Sequence, residues 1–441
     1  MATAIENYEQ LARKIDTQLT SSFESHSSRS FALFNARAID ASGIHEGFWL
    51  VVRDGLIHET GWDGVDTSTF TELEISRHTA KAFEQACERA NIAPHLRFNA
   101  QGKTLVPGFV DIHSHGGWGH AFDDSTQDDP TAFLTARACH LYNGTTRQVA
   151  SLITNPLPTM VKNLKVVAEQ TRRRPDVLGS HLEGPFISPL HKGAHDLACL
   201  IPPHADVVDE LVRAADGTLR QITLAPELED GQQAVRQFAR VGVVPAIGHS
   251  DMNYEQAQEA IRGGARILTH IFDAMNGLDH RNPGPIPAVV ENPQMMIELI
   301  NDGFHVQTPM VRLVFRLAPH RICLITDAMA ATGCPDGPYK LGELDVTVVN
   351  SHARLVANGA IAASTLTLSQ AVKNAVSEGI PVVQAVEAAT LTPARALGLD
   401  RVNSITEAPL GLLAPGFAAD FNLCDNLLSV EKVWVAGIPV R

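Results

Sequence analysis

The feature that most constrains the fold is an alternation that begins near Leu105, where short apolar runs take turns with longer amphipathic stretches. The runs include VLGSHLE, VVPAIGH, RILTH and ICLITD, and the stretches between them include GQQAVRQFARVG and NYEQAQEAIRGG. Such alternation is typical of parallel strand–helix units. Seven or eight units follow one another, so the pattern predicts an α/β fold built on a closed (β/α)₈ TIM-like barrel. A doubly wound open sheet is the alternative.

Short strands flank this region on both sides. FALFNARAID and GFWLVVRDGLIHETG precede it, and FAADFNLCD and VEKVWVAGIPV follow it without a helix of their own to pack against. We therefore expect the N- and C-terminal strands to build one small β-sandwich into which the barrel is inserted. The predicted domains are the β-sandwich of residues 29–104 and 400–441, the barrel of residues 105–399, and an N-terminal helical extension of residues 1–28. A polar, helix-like segment at 67–91 interrupts the sandwich.

The N-terminal extension carries apolar residues at helical spacing, which predicts one short amphipathic helix. These residues are Tyr8, Leu11, Ile15 and Leu19. A surface helix with no further role is the plainest interpretation of this pattern.

Composition and charge exclude several classes of protein. The formal net charge of -14 argues against a protein that coats nucleic acid, although local basic groups could still bind a small anion. No apolar stretch reaches the roughly 18 residues of a membrane span. The first residues carry charges and lack the apolar core of a secretory signal. The six cysteines form no CxxC pair, which favours reduced thiols. We therefore expect a cytoplasmic protein with no nucleic-acid or membrane partner.

Five of the predicted strands end in side chains that bind metals or transfer protons. These strand-end residues are His113 and His115, Glu183, His249, His270 and Asp327. In a (β/α)₈ barrel the carboxyl ends of the strands meet on one face, where catalysis takes place. Alternate residues of a strand share a face, so His113 and His115 point the same way. Imidazole and carboxylate ligands suit zinc, and an open position on the metal would activate water for hydrolysis.

Each strand-end residue also has a simpler interpretation. A single histidine at a strand end is more often a hydrogen-bonded structural residue than a ligand. Asp327 alone could cap a helix, and Glu183 alone could cap a turn. Five separate runs that all end in ligand-type residues are hard to obtain by chance, so the combination favours a metal-dependent hydrolase.

Longer motifs carry a resemblance to a known family. PGFVDIHSHGG, HLEGPFISPLHKGAH, GHSDMNYEQAQEAIRGGARILTHIFDAMN, NDGFH and LITDAMAATG resemble the amidohydrolase superfamily, and more closely the N-acetylglucosamine-6-phosphate deacetylase family. The resemblance covers residues 107–399, and the tail GLLAPGFAADFNL is similar to a sandwich strand of the superfamily. It implies hydrolysis of N-acetylglucosamine 6-phosphate to glucosamine 6-phosphate and acetate, with a metal-bound water as the nucleophile.

The resemblance also implies a role for each strand-end residue. Glu183, His249 and His270 would hold the main metal, most simply zinc, whereas His113 and His115 would ligate or border a second metal position. One or two ions per subunit are therefore expected. Asp327 would be the general base and acid of the reaction. The resemblance also implies a catalytic role for His195, which is not at a strand end and would support the oxyanion of the acetyl carbonyl.

Substrate contacts are implied at seven positions, namely Ala194, Asp273, Ala274, Arg281, His305, Ala363 and Ser364. Arg281 and His305 would bind the phosphate, with help from the partner subunit of a homodimer. Two positions depart from the family pattern: Asp273 replaces an asparagine, which adds a negative charge, and Ala363 replaces a glycine, which adds a methyl group. These departures leave N-acetylgalactosamine 6-phosphate, or another N-acyl amino sugar, open as the substrate.

Two further classes compete with the deacetylase hypothesis. Other amidohydrolases, such as cyclic-amide hydrolases and deaminases, often bridge two metals with a carbamylated lysine, whereas here Glu183 stands at that strand end. A non-catalytic homologue would keep the barrel as a scaffold. Such a scaffold has no need of the full ligand set that this chain retains.

Overall fold

The computed structural model describes residues 2–24, 29–63 and 72–441. The chain begins with one long helix, α1 (Ala2–Glu24). Its apolar stripe is buried, with Ala12, Ile15 and Leu19 only 1–2% exposed in the core of the barrel. The predicted amphipathic helix is therefore present, and its apolar face packs against the rest of the structure while its polar face is exposed. Residues 25–28, the last part of the predicted extension, lie outside the described residues.

A mainly antiparallel sheet follows. Its N-terminal elements are β1 (Phe31–Asp40), β2 (Gly43–Arg53), β3 (Leu56–Gly61), the helix α2 (Glu72–Arg89), β4 (Arg97–Asn99) and β5 (Thr104–Pro107). Helix α2 accounts for most of the predicted polar segment, of which residues 67–71 lie outside the described part of the chain. Phe83 and Cys87 of this helix pack against Trp49 and Val51 of the sheet. The segment thus covers one face of the sheet.

Eight parallel strands form the barrel. The elements here are β6 (Phe109–Ser114), a hairpin of β7 (Gly116–Gly117) and β8 (His120–Ala121), then β9 (Thr145–Ile153), β10 (Val177–Glu183), β11 (Leu219–Leu224), β12 (Val244–Ile247), β13 (Ile267–Leu268), β14 (Met296–Ile300) and β15 (Ile322–Ile325). The barrel strands pair strictly in chain order, from β6 through β9 to β15. A doubly wound sheet would reverse this order at a switch point, so the barrel prediction is confirmed and the open-sheet alternative is wrong.

Helices follow the strands on the outside of the barrel. They are α3 (Thr131–Tyr142), α4 (Leu157–Arg173), α5 (Ala205–Ala215), α6 (Gly231–Arg240), α7 (Tyr254–Gly263), α8 (Pro285–Glu291) and α9 (Thr308–Leu317). The strands are buried on both faces, which explains why they read as short continuous apolar runs rather than as alternating ones.

After the last barrel strand the chain forms a small three-stranded antiparallel sheet and three helices. These are β16 (Gly337–Leu341), β17 (Leu344–Val349) and β18 (His352–Leu355), then α10 (Leu368–Ser377), α11 (Val382–Ala389) and α12 (Leu391–Ala396). The small sheet has its own apolar cluster, which includes Leu341, Val346 and Leu355. It stands above the barrel mouth, since Leu341 also lines the cavity there.

The final strands return to the first sheet. They are β19 (Phe421–Cys424), β20 (Val430–Val435) and β21 (Ile438–Pro439), and β19 pairs antiparallel with β5. The strands at the two ends of the chain therefore come together, as predicted, in a small β domain whose eight strands share one sheet, and the barrel is inserted between β5 and β19. Phe421 and Trp434 pack 5.0 Å apart in the core that this sheet encloses. None of the described helices is long and apolar enough to cross a membrane.

Candidate active site

The barrel brings all of the strand-end residues to its carboxyl-terminal face. They stand at the ends of β6 (His113 and His115), β10 (Glu183), β12 (His249), β13 (His270) and β15 (Asp327). Each of these residues is buried. Buried imidazoles and carboxylates at such density need partners, and the strand ends supply them to one another.

The first group of ligand-type atoms joins the two ends of the barrel sheet. The Nε2 atoms of His113 and His115 lie 3.2 Å apart. The carboxylate of Glu183 meets both, at 3.5 Å from His113 and 3.3 Å from His115. Oδ1 of Asp327 lies 3.4 Å and 3.3 Å from the same two nitrogens. These four side chains place one candidate ligand atom each within 4.8 Å of the others.

The second group shares Glu183 with the first. Oε1 of Glu183 lies 3.2 Å from Nε2 of His249 and 3.1 Å from Nε2 of His270. The two histidine nitrogens are themselves 3.1 Å apart. Nδ1 of His249 lies 2.9 Å from the carbonyl oxygen of His191, to which it can donate, and this tautomer leaves Nε2 free for a metal. Glu183 therefore bridges two adjoining sets of ligands.

This donor set fits a divalent cation. In each group, two imidazole Nε2 atoms face each other at hydrogen-bond distance. If both nitrogens of a pair carried protons they would repel each other, whereas a divalent cation could accept the lone pairs of both. Burial by itself would raise the pKa of Glu183, yet the surrounding histidines, His113 first among them, hold this pKa well below its usual range. The carboxylate is therefore charged, as a metal ligand must be. Nitrogen and carboxylate ligands together indicate a candidate metal-binding site.

A buried carboxylate behind the site escaped the sequence analysis. Oε2 of Glu298, in β14, lies 3.1 Å from Nδ1 of His113, and its other oxygen accepts a hydrogen bond of 2.7 Å from Gln221. The backbone N–H of His270 also points to this carboxylate, at 3.4 Å. A signal was available, because an acidic residue interrupts the apolar run MIELI in the middle of a buried strand. Such a residue needs a partner at the same depth.

His195 reaches the site from a loop rather than from a strand. Its Nε2 lies 3.5 Å from Glu183, and its Nδ1 has no hydrogen-bond partner among the described residues. The loop passes close to a ligand histidine, since a Cβ atom on Gly193 would lie 2.9 Å from the ring of His249. Gly193 has a φ of 54°, so glycine satisfies both the conformation and the space here. His195 thus presents its Nε2 to the Glu183 carboxylate, while its Nδ1 is buried.

A cavity opens over the metal-binding groups. Five of the seven predicted substrate contacts line it, namely Ala194, Asp273, Ala274, His305 and Ala363, together with His115, Glu183, His195, His249, His270 and Asp327. Arg281 and Ser364 are not among the residues that line it. Arg281 is exposed, and Ser364 is buried with its hydroxyl donating to the carbonyl of Thr326. Within one subunit the structure therefore brings neither side chain to the cavity.

One wall of the cavity carries opposite charges. Nδ1 of His305 lies 2.7 Å from Oδ2 of Asp302. Burial alone would lower the pKa of His305, but the hydrogen bond and charge of Asp302 raise it overall, which favours a cation. Asp273 lies nearby, where burial raises its pKa to about 6 despite His305, and its Oδ2 has no partner among the described residues. An anion entering here would meet both an attractive imidazolium and a carboxyl group that is mostly charged at neutral pH and loses its charge below about pH 6.

Several residues of the site are held in left-handed backbone conformations. His249, Asp327 and Ala363 have φ angles of 51°, 46° and 54°. Such conformations are unfavourable for residues other than glycine and cluster at functional sites. Asp327 is held by flanking hydrogen bonds, since its N–H donates to the carbonyl of His113 at 2.9 Å and its carbonyl accepts from Ser364 at 2.7 Å. At Ala363 the positive φ angle explains why glycine would be the favourable residue at this position.

The barrel and its strand-end ligands define the class, a metal-dependent hydrolase of the amidohydrolase type. The sequence pattern of the amidohydrolase family matches residues 104–440. An N-acetylgalactosamine-6-phosphate deacetylase of Escherichia coli O157:H7 is 37% identical over 339 residues, which cover 76% of this chain and 86% of that protein. An N-acetylglucosamine-6-phosphate deacetylase of Vibrio furnissii is 34% identical over 337 residues, covering 76% of this chain and 82% of that protein.

Solved structures agree with the sequence comparison. A mutant N-acetyl-D-glucosamine-6-phosphate deacetylase from Mycobacterium smegmatis, in complex with N-acetyl-D-glucosamine-6-phosphate, is 34% identical and superposes with a TM-score of 0.80. The match covers 93% of this chain and 99% of that structure. The chain belongs to the amidohydrolase family and, within it, to the N-acetylglucosamine-6-phosphate deacetylase family, as its motifs predicted.

Proposed function

We propose that the protein hydrolyses the N-acetyl group of N-acetylglucosamine 6-phosphate, giving glucosamine 6-phosphate and acetate. The convergence of four histidines and Asp327 on the single carboxylate of Glu183 carries this proposal. A bound divalent metal would supply an activated water and polarise the acetyl carbonyl. Zinc suits the nitrogen and carboxylate donors best, and the two adjoining groups offer room for one or two ions.

Asp327 is the best-placed proton carrier of the site. Its carboxylate lines the cavity and lies 3.3 Å from His115 and 3.4 Å from His113. Burial would raise the pKa of Asp327, but these two histidines hold it below the usual range, so the carboxylate starts the reaction ready to accept a proton. It accepts that proton from the attacking water as the C–O bond forms. It then delivers the proton to the amide nitrogen as the C–N bond breaks and the amine leaves.

His195 stabilises the charge that develops on the acetyl oxygen. It lines the cavity beside Glu183, with its Nε2 3.5 Å from that carboxylate. A ring N–H donated to the carbonyl oxygen would strengthen as that oxygen becomes negative. The imidazole is buried, so water competes little for this hydrogen bond.

The phosphate is assigned to the wall that carries His305. The ion pair with Asp302 keeps this imidazole cationic and fixed in direction. Arg281, exposed in its own subunit, fits a homodimer in which it reaches the phosphate of the partner's site. A cytoplasmic location belongs to the same proposal, because all six cysteines are free thiols and the substrate is a phosphorylated metabolite.

One experiment tests this proposal directly. Acetate release is measured with metal-loaded protein on N-acetylglucosamine 6-phosphate and on plain N-acetylglucosamine. We expect turnover of the phosphorylated sugar and a KM that is much higher for the plain one. Metal-loaded protein that releases no acetate from either sugar would overturn the proposal.

The galacto epimer is the second candidate substrate. The relative that favours it is the 37% identical N-acetylgalactosamine-6-phosphate deacetylase of Escherichia coli O157:H7. The structure adds a second observation, because the carboxyl group of Asp273 in the cavity wall can accept a hydrogen bond from a sugar hydroxyl. The ratio of kcat/KM for the two phosphorylated epimers decides between them.

A further inference from the structure

The barrel has a seam between its first and last strands. The strand ladder runs without interruption from β6 to β15, and among the described residues no ladder pairs β15 with β6. This seam separates His113 and His115, which follow the first strand, from Asp327, which follows the last. The first group of metal ligands therefore straddles the one place where the barrel lacks a continuous ladder.

A backbone hydrogen bond of 2.9 Å from Asp327 to the carbonyl of His113 crosses the seam, and loops beyond it complete the closure. The N–H groups of His115 and Gly116 both donate to the carbonyl of Ala328, at 2.8 Å and 2.9 Å. Further along, the N–H of Trp118 donates to Thr332 at 2.8 Å, and the following N–H of Gly119 donates to Ala330 at 2.7 Å. We call residues 115–119 the first-strand loop and residues 328–333 the last-strand loop. Backbone hydrogen bonds thus join these two loops along their length. Each loop begins at or beside a candidate ligand.

Tyr8 of helix α1 spans the two loops from outside. Its ring stacks on Trp118 of the first-strand loop, with centroids 4.9 Å apart and planes inclined by 9°. Its hydroxyl donates a 3.0 Å hydrogen bond to the carbonyl of Gly333 in the last-strand loop. The loops fit closely at this point, since a Cβ atom on Gly333, whose φ is 74°, would lie 2.7 Å from the Trp118 ring. One side chain therefore holds both sides of the seam.

The rest of α1 is anchored firmly enough to fix Tyr8. Asp16 accepts hydrogen bonds from Arg137 at 2.8 Å and from Arg174 at 2.7 Å and 2.8 Å. Arg137 is itself paired with Asp176, and both of these side chains are buried. Closer to Tyr8, a carboxylate oxygen of Glu9 lies 3.1 Å from His120, just beyond the first-strand loop. The helix is thus bound to the barrel at Glu9, next to Tyr8, and again about two turns further on at Asp16.

We infer that helix α1 holds the two sides of the barrel seam together through Tyr8. Tyr8 is thus a positioning residue, which keeps His115 and Asp327 at the separation that their shared site needs. Tyr8 does not line the cavity and acts only through the two loops. The inference rests on the candidate metal site and is independent of which sugar is hydrolysed. Opening of the seam would separate the ligands of the first group, so loss of the Tyr8 contacts should weaken metal binding there.

The test compares Tyr8→Ala and Tyr8→Phe with the matched control Tyr142→Ala. Tyr142 also packs on Trp118, with centroids 5.7 Å apart, but no described hydrogen bond joins its hydroxyl to the last-strand loop. The readouts are hydrogen exchange of residues 115–119 and 328–333, metal affinity by chelator competition, and the separate values of kcat and KM. The hydrogen-exchange and metal-affinity readouts do not depend on a substrate, so they test the inference even if the proposed activity is not found.

We expect Tyr8→Ala to speed exchange in both loops by about tenfold or more, to weaken metal binding by about 10- to 100-fold, and to lower kcat with KM little changed. Tyr8→Phe keeps the stacking on Trp118 but loses the hydrogen bond to Gly333, so it should show the same changes with smaller magnitude. It replaces Tyr8→Ala in the test if the alanine variant does not fold. Tyr142→Ala should lower the melting temperature while metal affinity and exchange of the last-strand loop stay near wild type. If Tyr8→Ala or Tyr8→Phe lowers only the melting temperature, the helix is a stabilising element alone and the inference is wrong.

Discussion

Oε2 of Glu298 lies 3.1 Å from Nδ1 of His113, although the two residues are 185 positions apart in the chain. Both side chains are completely buried. This contact turns the imidazole so that its Nε2 faces Glu183 and Asp327, which are the two carboxylates of the first group. Carboxylates that orient a ligand histidine in this way typically contribute about 10- to 100-fold in metal affinity.

The first prediction concerns this orienting carboxylate. Glu298→Gln keeps the shape of the side chain but removes its charge, so we expect metal affinity to fall by about 10- to 100-fold. Chelator competition measures the change. Glu387→Gln is the control, because Glu387 is also a buried carboxylate, lies 2.8 Å from Nδ1 of the exposed His320, and does not belong to the metal-binding groups. Equal metal affinity in the two variants would show that Glu298 does not orient a ligand.

A second prediction follows from the ion pair at the phosphate wall. Asp302 raises the pKa of His305, so the imidazolium persists to a higher pH than usual and is lost only as pH rises through that raised pKa. The KM for the phosphorylated sugar should therefore stay low up to that pH and climb above it. In Asp302→Asn the pKa of His305 falls, and the climb should begin at lower pH. Profiles of KM against pH for both proteins check this, and superimposable profiles would contradict it.

Asp273 gives a third prediction with the opposite charge. Burial raises its pKa to about 6, so the carboxyl group is neutral well below pH 6 and charged at pH 8. Asp273→Asn removes a charge that repels phosphate at pH 8, which should lower KM for the phosphorylated sugar by about fivefold, or about 1 kcal/mol. The difference should close at pH 5. A fall in KM that is as large for unphosphorylated N-acetylglucosamine would show that the effect is not one of charge.

The fourth prediction concerns stability. Arg137→Met leaves the completely buried Asp176 without its cation, and loss of one partner from a buried pair typically costs about 3–5 kcal/mol of unfolding free energy. Arg172→Met is the control, since its pair with Asp216 is exposed and such pairs contribute about 0–1 kcal/mol. Urea unfolding measures both. Similar losses in the two variants would contradict the role given to the buried pair.

Much of this architecture could be predicted from the sequence because its signals are local. The barrel is encoded in apolar runs that each contain the strand they predict, and the ligands stand directly at the ends of those runs. The ligand positions then follow from barrel geometry, which places all the strand ends on one face.

Other features could not be read from the chain because they depend on distant contacts. The helical spacing around Tyr8 predicts a helix but not its stacking on Trp118 or its hydrogen bond to Gly333, 325 residues away. The partner of Glu298 is equally remote. Arg281 shows a different limit, since its exposed side chain does not line the cavity to which the phosphate is assigned.

The most direct test of the central claim is the rate of acetate release from N-acetylglucosamine 6-phosphate, compared between wild type and Asp327→Asn at matched metal content. We predict that wild type releases acetate and that the variant, which keeps Glu183, His249 and His270, retains metal but loses about 10²- to 10⁴-fold in kcat, the usual contribution of a general base and acid. A metal-loaded wild type without acetate release, or a metal-loaded variant as fast as wild type, would contradict the account.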